Sequence, residues 1–124
     1  MKLAFFNNFT LGVVKGDKIV DISKAVPVNE HNHAQGLLNR IIESFDDYRP
    51  GIEELVAAEQ GVDVASVTFN SPVPKPHNIV CMAVNYMENG TRGEPAPINA
   101  FHKSPNAIIG DGDTMVCQDI PATI

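Results

Sequence analysis

Residues 78–123 read NIVCMAVNYMENGTRGEPAPINAFHKSPNAIIGDGDTMVCQDIPAT. An apolar run, Ile79-Val80-Cys81-Met82-Ala83-Val84, ends in the polar pair Asn85-Tyr86. A continuous apolar run of that length, with β-branched residues, is the pattern of a buried strand. A loop rich in Gly and Pro follows, and then a second short strand carrying Phe101-His102-Lys103. Asp111-Gly112-Asp113 has the chemistry of a turn, each Asp bonding local amides. Calcium loops need further oxygen ligands at set intervals, and none follow it.

Upstream, Ser71-Pro72-Val73-Pro74-Lys75-Pro76 puts three prolines in six residues. Proline removes backbone donors and favours an extended path, so 71–77 reads as a linker. Residues 1–70 then form a small N-terminal α+β domain, and 78–124 open a different, β-rich one. In the first, Leu3–Phe6, Leu11–Val14 and Lys18–Ile22 are strand-like, with Gly16-Asp17 placed to turn a tight hairpin. Leu37, Leu38, Ile41, Ile42 and Phe45 recur at the spacing of one helical face, and Asp46-Asp47 closes that helix. Pro50 suits the first turn of a second helix carrying Ile52, Leu55 and Val56, with Gly61 as its stop. Helices are thus expected near 34–46 and 51–60.

Composition excludes several classes. A net charge of −6, with nine scattered basic residues, does not make a nucleic-acid surface. No apolar run reaches the length of a membrane span, and the start of the chain is not a signal peptide. Cys81 and Cys117 lack CxxC spacing, so a soluble protein of the reducing cytoplasm is the expectation. Glu30-His31-Asn32-His33 offers too few ligands for zinc and reads as the cap of a helix starting near Ala34.

Taken in order, Asn85-Tyr86, Phe101-His102-Lys103 and Gly110-Asp111-Gly112-Asp113 resemble the opening of the catalytic domain of the fumarylacetoacetate hydrolase family. There a "GxNY" strand, a mobile loop and an "FxK" strand precede the carboxylates that hold a divalent metal. The proline-rich join after a hairpin-and-helix domain is similar to that of many bacterial members. The resemblance implies an N-terminal α+β domain followed by the start of a mixed β-fold. It also implies an enzyme acting on a 2-oxo or β-diketo acid with Mg²⁺ or Mn²⁺, by C–C hydrolysis, decarboxylation or keto–enol isomerisation. The metal ligands would lie past Ile124, so no metal-ligating residue is assigned in this chain. The expected partners are the small-molecule acid and a second copy in a homodimer, or a C-terminal segment that complements the chain.

Site residues follow from the same comparison. Alternation on a strand puts Lys103 on the face of Phe101 and opposite to His102. Spacing alone makes Lys103 a strand-end surface lysine, whereas the resemblance makes it a cation lining the cleft, facing a carboxylate or enolate. Asn85 and Tyr86 would stand at the pocket mouth, or else serve the turn and pack a ring. The family's "NYxxH" histidine is replaced here by Asn89, and Arg92 stands near the position of its partner glutamate. An amide does not titrate usefully, so Asn89 cannot serve as a general base. Glu88 or Glu94 could take over, though a loop carboxylate is ordinarily just solvated. The candidate set is therefore Lys103, Asn89 and Glu88 for catalysis, with Asn85, Tyr86, Arg92 and Lys103 for substrate. The rival expectation is a non-catalytic fragment, or an accessory half-domain that needs a second chain.

Overall fold

A computed structural model of the chain describes residues 1–26, 33–83, 93–94 and 96–116. It divides into two compact units: Met1–Pro74 together with the segment from Ile109, and Lys75–Ile108.

The first unit is built on an antiparallel sheet in the order β1-β2-β3-β4. β1 (Lys2–Phe6), β2 (Thr10–Lys15) and β3 (Lys18–Asp21) fall where alternation and turn chemistry place them. Lys15 pairs with Lys18, so Gly16-Asp17 is a two-residue loop, and Gly16 takes the φ of +63° that such a loop needs. The fourth strand, β4 (Val62–Asp63), is only two residues long and exists through its pairing with Lys18 and Ile19. Gly61 turns the chain into it at φ +71°, with its α-carbon so near the Ile19 carbonyl that a β-carbon would sit 2.5 Å from that oxygen. Only glycine meets both conditions.

Two helices cover one face of the sheet. α1 (Ala34–Glu43) is capped by His33, whose Nδ1 accepts from the Gly36 amide at 3.1 Å. α2 (Phe45–Ala58) runs straight through Pro50. The break between the helices therefore lies at Ser44, not at Pro50. Asp46 and Asp47, expected to end the first helix, instead occupy the first turn of the second, where carboxylates favour the positive end of the helix dipole. The bond that Pro50 cannot donate lies one turn inside α2, and the helix is kept by burial of Ile52, which is fully covered.

The core comprises Phe5, Leu11, Val13, Ile22, Val26, Leu37, Leu38, Ile41 and Ile52, with Phe45, Tyr48, Leu55 and Val56 packed at its edge. Ile42 is the exception to the expected stripe: it is 68% exposed. α1 buries Gln35, Leu37, Leu38 and Ile41 and leaves Ile42, near its C-terminal end, in solvent.

The segment after β4 returns to the other edge of the sheet. Phe69 bridges to Phe6, the Asn70 amide donates to the Phe5 carbonyl at 2.9 Å, and the Asn7 amide donates to that of Thr68 at 2.7 Å. Two asparagine side chains complete the clasp, Asn7 Oδ1 accepting from the Thr68 amide and Asn70 Oδ1 from the Phe9 amide. The clasp holds the β1–β2 turn with Asn7 and Phe9 both at positive φ, at 52° and 56°. The turn at 110–113 belongs to this unit. There the Gly110 amide donates to Asp113 Oδ2 at 2.6 Å, and Gly112 adopts φ +78°.

The second unit is a two-stranded antiparallel ribbon, β5 (Ile79–Met82) and β6 (Ala100–Lys103). Its pairs are Ile79 with Lys103, Val80 with His102, Cys81 with Phe101 and Met82 with Ala100.

Candidate active-site strand

The ribbon's register sorts its side chains. Residues directly opposite in an antiparallel pair share a face, and neighbours along a strand alternate. Ile79, Cys81, Phe101 and Lys103 therefore lie on one face, and Val80, Met82, Ala100 and His102 on the other. Ile79 and Cys81 are half-buried, while Val80 at 58% and Met82 at 44% stand in solvent. Lys103 is on the better-covered face, with its Nζ 6.0 Å from the centroid of the Phe101 ring. Among the described residues it makes no salt bridge.

What ends the strand directly after Lys103 is local chemistry. Ser104 begins a short 3-10 turn over Pro105–Ala107, accepting from the Asn106 amide through Oγ at 3.2 Å and from the Ala107 amide through its carbonyl at 3.0 Å. Pro105 enters at the first position, where its missing donor costs nothing. The backbone just after Lys103 is thus held by two local hydrogen bonds, and its four-carbon side chain adds torsional freedom of its own.

Of the candidate residues, Lys103 alone lies among those described; Asn85, Tyr86, Glu88, Asn89 and Arg92 lie outside them. Glu94 is described and exposed, as is expected of a solvated carboxylate. His31 and Cys117 also lie outside the described residues, and His33 is engaged as the α1 cap. Among the described residues no three of His, Cys, Asp and Glu come together as a metal requires. By themselves these residues do not make a divalent-cation site. None of the described helices is long and apolar enough to cross a membrane.

The fold reaches beyond this chain for its likeness. No family model matches it. Maleylpyruvate hydrolase of Aquipseudomonas alcaligenes is 31% identical over 87 residues, which are 69% of this chain and 30% of that protein. The crystal structure of maleylpyruvate hydrolase from Sphingobium sp. SYK-6, in complex with manganese(II) and pyruvate, superimposes with a TM-score of 0.82 at 31% identity. That match covers 98% of this chain and 44% of the other. A second structure of a maleylpyruvate hydrolase from the same source gives 0.73 at 30% identity, covering 88% and 40%. By sequence and by structure the chain is a homologue of maleylpyruvate hydrolases, consistent with the resemblance of its strand motifs to the fumarylacetoacetate hydrolase family. It spans 30% to 44% of the length of these relatives.

Proposed function

We propose that this chain is the part of a metal-dependent C–C hydrolase that carries the N-terminal unit and the first ribbon of the catalytic β-fold. The observation that carries this reading is the likeness across 98% of the chain to an enzyme whose structure holds manganese and pyruvate. The substrate class is a β-diketo acid of the maleylpyruvate kind. Water adds to the acyl carbon, and the bond from that carbon to the pyruvyl methylene breaks. The electron pair leaves as the enolate of pyruvate, which takes a proton on carbon, while the water oxygen ends in the new carboxylate. A divalent cation, when bound, supplies Lewis-acid polarisation of the oxo-carboxylate.

Lys103 is the residue we place at the substrate, its ammonium facing a carboxylate or the developing enolate oxygen. Asn85, Tyr86 and Arg92 are assigned to the mouth of the same pocket, and the loop 87–99 to a lid. In this scheme Asn89 orients an oxygen, and the proton of the attacking water goes to Glu88 or Glu94, since an amide cannot take it. Decarboxylation or keto–enol isomerisation needs no activated water, and Asn89 keeps these reactions in view; the hydrolase homologues favour C–C cleavage.

A second reading has its own support. The ribbon carries apolar side chains on both faces, and the chain spans only 30% and 44% of its relatives' lengths. Two strands alone are marginal in water. On this reading the 124 residues are an accessory half, inactive until a C-terminal segment, a second chain or a homodimer partner completes the sheet. Both readings are tested together. The isolated chain should not turn over maleylpyruvate, whereas the native assembly containing it should, with Mn²⁺ or Mg²⁺ supplied. In that assembly Lys103→Met should lower kcat/KM by about 10²–10³, the range for losing one transition-state donor. Unchanged kcat/KM in that variant would make Lys103 a surface residue.

A further inference from the structure

Three lysines of the first unit have oxygen partners. Lys15 Nζ donates to the Val56 carbonyl at 3.0 Å, Lys18 to Asp63 at 2.6 Å, and Lys24 lies 3.7 Å from a Glu59 oxygen. Each of these ammonium groups has an oxygen partner, through a hydrogen bond for Lys15 and Lys18 and an ion pair for Lys24. Lys103 has none among the described residues; what lies beside it is the Phe101 ring, two residues earlier on the same face of β6. A ring face attracts a cation through its quadrupole without neutralising it and without needing a directed N–H bond. An ammonium held that way keeps its charge and three donors for an anion.

From this arrangement we infer that Phe101 is a positioning residue: its ring biases the Lys103 ammonium toward one place on the ribbon face and leaves it unpaired for the substrate's oxygen. The inference rests on the reading of Lys103 given under Proposed function. Two features make the ring decisive. The Ser104 turn gives the backbone after Lys103 local hydrogen bonds, whereas the flexible four-carbon stem has no such restraint of its own. Phe101 is also 44% exposed, so its attraction is weak in the open ribbon and strengthens once a substrate excludes water. The enolate charge that the ammonium faces develops only in the transition state, so the benefit of placing it appears in kcat more than in KM.

The test uses the native assembly with Mn²⁺ and maleylpyruvate. Phe101→Leu keeps an apolar side chain but removes the ring face; kcat should fall by about two- to five-fold, the size of an exposed cation–π contact, with KM little changed. Phe101→Tyr should restore it. Replacing Phe101 by phenylalanines with one, two and three ring fluorines drains the quadrupole stepwise at nearly constant shape, so log kcat should fall in proportion. A packing role would give no such slope. In the Lys103→Met background the slope should vanish. A flat fluorine series beside a severe Lys103→Met defect overturns the role of Phe101 and leaves Lys103 standing. An unaltered Lys103→Met enzyme overturns both. A second measurement needs no turnover: in the substrate-free native assembly, ring current should move the Lys103 ε-methylene protons upfield, and Phe101→Leu should abolish that shift. Absence of the shift in that assembly overturns the inference.

Discussion

Three glycine-to-alanine substitutions in the first unit separate backbone conformation from close approach. Gly16 has φ +63° and nothing within 4 Å of the place a β-carbon would occupy. Alanine there incurs only the left-handed penalty, about 1–2 kcal/mol, partly offset by a less flexible unfolded chain worth about 0.4–1 kcal/mol. The expected net loss is about 0.5–1 kcal/mol. Gly61 has a similar φ of +71°, but its β-carbon would lie 2.5 Å from the Ile19 carbonyl oxygen and 2.9 Å from its carbon. That neighbour is backbone inside β3 and cannot rotate away. A further 1–3 kcal/mol for overpacking brings the expected loss to about 2–4 kcal/mol. Gly51 sits in α2 with open space around it and no positive φ, so alanine should stabilise by about 0.5–1 kcal/mol. Urea unfolding of the three variants at constant m-value measures the order. If Gly61→Ala costs no more than Gly16→Ala, the approach of residue 61 to β3 is not close, and the route from α2 into β4 is wrong.

Other outcomes follow from charge and chemistry. Lys18 is held above its ordinary pKa, chiefly by its hydrogen bond to Asp63, against a smaller opposing effect of desolvation. Its contribution to the β3–β4 contact is therefore fully present below the usual lysine value and lost as pH rises through the raised one. Alkaline titration of unfolding should show that loss in the native chain and not in Asp63→Asn. Calorimetry of the 124-residue chain with Mn²⁺ should reveal no submicromolar site, given the dispersed acids among the described residues. A tight site would point first to Asp111 and Asp113. In the native assembly, Asn89→His should raise C–C hydrolysis and add a pH dependence with an apparent pKa of about 6–7. If Glu88 or Glu94 already serves as the base, that variant will change little, and Glu→Gln at the working position will abolish turnover.

Much of the first unit was legible because its signals are local. The Gly16-Asp17 hairpin, the Leu37/Ile41 stripe and the His33 cap each depend on residues within one turn or one loop of each other. The misread junction, Ser44 to Pro50, shows where that locality fails. Two aspartates and a proline suit a helix end as well as a helix beginning, and what decides between them is the burial of Ile52 and the packing of Phe45, which come from the rest of the unit. β4 and the Phe69 bridge were invisible for the same reason. A two-residue strand has no periodicity, and its identity comes from Ile19 more than forty residues earlier. At the site, alternation alone gave the relation of Lys103 to Phe101 and His102. The role proposed for that lysine came from resemblance, because a strand-end lysine has the same spacing whatever it faces.

The distribution of buried side chains links fold to function. Phe5, Ile19, Val20, Ile22, Val26, Ile41 and Ile52, the most completely covered residues, all lie in the first unit. Among the described residues of 75–108 none is buried, and β5 and β6 pair only with each other. The strand that carries Lys103 is thus the part of the chain least able to hold its own geometry. Local devices remain to it: the Ser104 turn, and the Phe101 ring beside the ammonium. Fold stability and site geometry should consequently respond to different mutations. Trimming Ile41 or Ile52 to alanine should unfold the first unit at a cost of about 2–5 kcal/mol. Changes at Phe101 or Ser104 should leave that transition where it is, because neither residue belongs to the core of the first unit. A lysine with no salt bridge among the described residues, on an exposed ribbon, is in keeping with the proposal that a further segment or chain covers it.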